Sequence, residues 1–193
     1  MDRRSAIRNA LLLTVAPAAA AETADKPERS ADPAPLDHEL EKYPRCSQCN
    51  MDRRKFHRTR HLIHYDDGTA EGSCSIRCVA VSLMQNLRKD TQAVYAADFG
   101  SEMEPRPLVN VEKATYIIGG EFPTVMSKRP KTAFASVEAA RAAQAAKGGE
   151  LADYDQALVA AFADMVEGLK ARRQRRAERE ERRRQEATVS PTS

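Results

Sequence analysis

The feature that most constrains the fold is an order of short elements that occurs twice. Residues 61–65, His-Leu-Ile-His-Tyr, are β-prone and end at Asp66-Asp67-Gly68. The Asp-Gly step supplies the positive φ of a hairpin turn, which predicts a returning strand at 69–74. Residues 75–86 then read as a helix with Ser73 or Ser75 as its cap, and a strand follows at 92–97. The later chain repeats this order: strand 114–118, the turn Gly119-Gly120, strand 131–135 after an insertion, a helix at 137–146 capped by Ser136, and strand 150–154 beyond Gly148-Gly149. The order matches although the residue identities do not. The expected fold is therefore α+β, two tandem ββαβ units at 43–110 and 111–155. From residue 156, Leu158, Phe162, Met165, Val166 and Leu169 mark one face of a helix that can pack on the body. Beyond Lys170 the apolar stripe stops, so 156–193 is expected to be a long charged C-terminal helix with a basic tail, projecting into solvent or frayed.

The N-terminal 21 residues have a basic start at Arg3, Arg4 and Arg8, a short apolar run and an alanine-rich end, the three-part order of a secretory signal. The apolar run is too short to span a bilayer. No cysteine sits at the presumed cleavage site, so no lipid anchor is expected; an uncleaved signal or a membrane-bound partner is the remaining route to a membrane. Residues 22–42 are rich in alanine, proline and charge, and read as a flexible linker. Cleavage after Ala21 would take the formal charge from +3 to +1, and residues 170–186 alone carry nine basic and four acidic side chains. The basic character belongs to that tail, which has no interleaved aromatics, so no nucleic-acid partner is expected.

The chemistry lies in sulfur. Cys46-Ser47-Gln48-Cys49-Asn50-Met51 places two thiols and a thioether close together, and Cys74 and Cys78 follow. A CxxC segment makes a tight turn with both sulfurs on one side, which suits metals and disulfides alike. If they lie in the first turns of the helix, Cys74 and Cys78 are four apart and share a face. Four thiolates at Cys46, Cys49, Cys74 and Cys78 would close a zinc site and leave Met51 idle. Thiolates with thioethers select Cu(I), which accepts fewer donors. Two disulfides are the third outcome. Met126 adds weight to copper, because it stands between Pro123 and Pro130 in a polar loop with no apolar periodicity around it. Along strand 61–65, His61 points opposite to Leu62 and His64; His61 is the expected further ligand, and His64 is expected to be solvated. No Gly-rich phosphate loop, nucleophile elbow or carboxylate pair is present, so enzyme activity is not expected.

The CxxCxM turn, the 61–68 hairpin, the Cys74–Cys78 helix start and the stretch 125–136, Val-Met-Ser-Lys-Arg-Pro-Lys-Thr-Ala-Phe-Ala-Ser, together resemble the NosL family, accessory proteins of nitrous oxide reductase. The similarity runs over 43–155. It implies a periplasmic Cu(I)-binding metallochaperone that hands copper to the copper-site assembly machinery of that reductase, with two ββαβ units related to the organomercurial lyase fold. The family's Cys-x-Met ligand pair falls on Cys49 and Met51, and its late methionine on Met126. The alternative is a structural zinc module built on the four cysteines.

Overall fold

The computed structural model describes residues 30–189. The expected signal at 1–21 and the first part of the expected linker lie outside them. β1 (His61–Tyr65) and β2 (Ala70–Ser73) form the first hairpin, α2 (Ile76–Gln85) follows a short α1 (Glu39–Lys42) in helix order, and β3 (Thr91–Ala97) returns beside β1. The turn closes through the Gly68 amide on the Tyr65 carbonyl, 3.0 Å, with Gly68 at φ 78°. The second unit is β5 (Thr115–Ile118), β6 (Lys131–Phe134), α3 (Val137–Lys147) and β7 (Glu150–Ala152). Strand order is β2-β1-β3 in the first unit and β6-β5-β7 in the second, all antiparallel. An additional strand, β4 (Leu108–Asn110), extends the first sheet beside β3.

The two units share one core. Ile63, Tyr65, Ile76, Val79 and Val94 of the first unit meet Tyr116 and Ala133 of the second, and Tyr154, Ala157 and Ala161 complete the contact. The last three lie on α4 (Tyr154–Val189), which packs against α2 and β5. It begins earlier than the apolar stripe predicts because Asp153 and Gln156 form a reciprocal capping box: the Asp153 carboxylate accepts from the Gln156 amide at 2.8 Å, and the Gln156 side chain accepts from the Asp153 amide at 3.0 Å. Tyr154 thus opens the helix instead of ending a strand. From 172 to 187 every residue of α4 is exposed, so the charged half projects from the body. Among the described residues no helix is long and apolar enough to cross a membrane.

The described part of the expected linker is not free. The Asp32 amide donates to the Gly68 carbonyl at 2.8 Å, and Glu39 and Leu40 are buried. The Glu39 carboxylate lies between two guanidinium groups, 2.8 Å from Arg53 and 2.7 Å from Arg60. Composition suggested a tether, but these side chains have partners far along the chain. Arg53 crosses Gly72, which pairs with Leu62, so the Arg53 guanidinium that holds Glu39 lies on the sheet face opposite the shared core.

Candidate metal centre

The CxxCxM segment is a closed loop. Arg45 and Asp52 bridge its ends, the Cys46 amide donates to the Met51 carbonyl at 2.9 Å, and the Asn50 amide to the Cys46 carbonyl at 2.9 Å. Asn50 takes φ 60°, a left-handed position that asparagine tolerates better than most residues. The residues between the cysteines tie the loop to its neighbours. The Ser47 amide donates to the Gly72 carbonyl at 2.9 Å, its hydroxyl to Glu71 at 3.0 Å, and Gln48 donates to the Ser82 hydroxyl at 2.8 Å. Ser82 in turn donates to Glu71 at 2.8 Å, joining β2, α2 and the loop in one network. Arg53, fully buried, donates to the carbonyls of Tyr43, His61 and Ser73. A Cβ at Gly72 would lie 2.7 Å from its guanidinium, so the close crossing requires glycine. Sequence reasoning missed this support; a lone glycine inside a predicted strand was the available signal.

Across the loop, Cys74 ends the segment after β2 and Cys78 lies in the first turn of α2. All four cysteines are free thiols, and their sulfurs lie within 4.8 Å of one another. Cys49 to Cys74 is 3.4 Å, and both Cys74 to Cys78 and Cys78 to Cys49 are 3.8 Å. Cys46, Cys74 and Cys78 are buried, while Cys49 is partly open. Hydrogen bonds from the Cys74 and Cys78 thiols hold the Cys46 thiol far below its ordinary value. The same contacts with Cys46 push Cys74 up, and Cys78 up to about 12. The cluster therefore favours the Cys46 thiolate, stabilised by the Cys74 and Cys78 S–H groups, and a cation that takes those two sulfurs must displace their protons.

Met51 and Val125 pack against the cysteines. Val125 belongs to the second hairpin's long loop, so the second unit closes the first unit's site. Met126, its neighbour, is 45 % exposed at φ 63° and lines a groove against α4. His61 stands elsewhere: its Nε2 is 3.2 Å from the Tyr116 hydroxyl and its Nδ1 3.0 Å from the Thr59 carbonyl, so both ring nitrogens are engaged within the protein. Burial pushes its pKa down to about 4. It is a core residue rather than the further ligand expected. His64 is also buried rather than solvated, because β1 lies between β2 and β3 and is covered on both faces. Among the described residues, the four cysteines are the group of thiol, imidazole and carboxylate donors placed to hold a metal.

A solved structure, described as the copper chaperone NosL from Shewanella denitrificans, is similar at 19 % identity and a TM-score of 0.47, covering 67 % of this chain and 96 % of that one. No curated protein matches the chain. The NosL family model matches residues 37–161, well over half of the chain and all four cysteines. The chain belongs to the NosL family.

Proposed function

We propose that this protein is a periplasmic Cu(I) metallochaperone that passes copper to the copper-site assembly machinery of nitrous oxide reductase. The observation that carries the reading is the cluster of four free thiols within 4.8 Å with the Met51 thioether packed against it. Such a donor set is soft, and family membership supports copper as the cargo. Three sulfurs are enclosed, whereas Cys49 and Met51 are both partly exposed. In this reading the Cys49–Met51 edge is where an acceptor's donors enter and exchange begins, and Met126 joins from the adjoining loop. The function is carriage of the ion, with no chemical transformation.

A second reading has its own support. Zn–S bonds of about 2.3 Å place the sulfurs of a tetrahedral site about 3.8 Å apart. Two of the observed separations are 3.8 Å, so a structural zinc site fits the same cluster. Anaerobic titration of the reduced protein with Cu(I) and with Zn(II), each against a competing chelator, separates the two. Met51→Ala is expected to weaken Cu(I) binding about tenfold and leave zinc unchanged, because a neutral thioether is a donor that zinc does not need. Unchanged Cu(I) affinity together with tighter zinc binding would overturn the copper reading.

A further inference from the structure

A groove of about 600 Å³ opens between the loop at 123–130 and the part of α4 that leaves the body. Met126 and Met165 line it with thioether side chains, and Arg77, Lys128, Arg172 and Arg175 with cationic ones. Its two carboxylates are already matched. Asp164 accepts from Lys131 at 2.5 Å, from Arg129 at 2.8 Å and from Ser127 at 2.8 Å, and Glu167 pairs with Lys170 at 2.8 Å. Burial pushes the Asp164 carboxyl up, but those hydrogen bonds outweigh it and hold the group below the usual carboxylate range. Arg77, Lys128, Arg172 and Arg175 form no ion pair among the described residues. The lining is therefore apolar and cationic, with its positive charge uncompensated.

We propose that this groove docks an acidic segment of a partner protein, one with apolar side chains flanked by aspartates or glutamates. Methionine adapts to varied apolar shapes, and arginine grips carboxylates through paired N–H donors; both are enriched at protein interfaces. The groove borders the metal centre, since Arg77 precedes Cys78 and Met126 follows Val125, which packs on the cysteines. The inference rests on the chaperone reading in naming the kind of partner that centre would meet, but docking itself needs no metal. The family match ends at residue 161, and Met165, Arg172 and Arg175 lie beyond it, so this wall stands outside the region that the family model matches.

The test measures anisotropy of a fluorescein-labelled peptide in which two leucines are flanked on each side by two glutamates, titrated with the full chain at low and high salt. Binding should fall with salt, and Arg172→Glu/Arg175→Glu should weaken it about tenfold or more. Arg182→Glu/Arg183→Glu, the same charge change further along the exposed helix, should weaken it less than about twofold. A peptide with glutamines for glutamates, or serines for leucines, should bind markedly more weakly. Equal loss in the two double variants, equal binding of either control peptide, or binding to phosphatidylglycerol vesicles without peptide binding would each overturn the proposal. Cu(I) affinity of both variants is read separately and should equal that of the parent. Absence of peptide binding by the parent chain with its copper binding intact thus counts against the groove alone, and absence of copper binding by the parent chain counts against the chaperone reading.

Discussion

The two ββαβ units have the same strand order and place a serine at the N-cap of each helix, yet only the first gathers four thiols. In the first, Ser73 ends β2, Cys74 follows, Ser75 stands at the N-cap and Cys78 occupies the first turn of α2; in the second, Phe134, Ala135, Ser136 and Ala139 hold the same positions around α3. The hydroxyl of Ser136 caps its helix by accepting from the Ala139 amide at 3.1 Å, whereas the Ser75 side chain makes no such bond. The preceding segments differ as well: the first unit has a CxxCxM loop tied over β2 and α2, and the second has none. A strand–turn–helix corner is thus a neutral frame. It becomes a metal centre where cysteines occupy it and a second loop brings further thiols within reach.

The largest test of this comparison makes the first corner like the second. Cys74→Ala/Cys78→Ala copies Ala135 and Ala139 and is expected to lower affinity for Cu(I) and zinc by about a thousandfold or more, because two thiolates are lost. Circular dichroism should show the fold retained, since alanine already fits this frame in the other half. Affinity within tenfold of the parent would mean that the metal is held elsewhere.

A second test uses His61, whose position in the first sheet corresponds to Thr115 in the second. Burial lowers its folded pKa to about 4, against an ordinary value of 6.5. The folded state therefore resists protonation. Stability is unaffected by this group above pH 6.5, falls as pH drops through 6.5 toward 4, and loses about 3 kcal/mol by the lower limit. Urea unfolding of metal-free protein between pH 7 and 4 should show that slope, and His61→Gln should flatten it. A parent and variant with parallel pH profiles would refute the assignment.

The smallest effect separates the two caps. Ser136→Ala should cost about 1 kcal/mol, whereas Ser75→Ala should cost less than about 0.5 kcal/mol because no cap bond is lost. Equal losses by chemical denaturation would show that the corners are energetically alike after all.

Much of the fold was legible because its signals are local. The Asp-Gly turn, the serine caps and the Gly148-Gly149 stop each act over a few residues, and both hairpins and both helices lie where they predict. β4 escaped because three residues after Pro107 show no usable alternation, and its existence depends on β3 offering an open edge. The start of α4 was legible in principle from Asp153 and Gln156. The segment 32–42 was misread because Glu39 looks like any solvated acid until Arg53 and Arg60 are brought to it. Alternation along 61–65 sets His61 apart from Leu62 and His64 but does not say what its face meets, and the strand carries the ring to Tyr116.

The sequence by itself determined the duplicated order of elements, the soft donor set and the membership of the chain in its family, because propensities, turn chemistry and motif spacing are carried by neighbouring residues. Only the tertiary structure decided that all four thiols converge as one cluster, that the second unit's Val125 closes it and that both strand histidines are buried. These depend on which distant segments pair and which faces they cover. That outcome arises from the burial and hydrogen bonding of the whole chain, and no short stretch contains it.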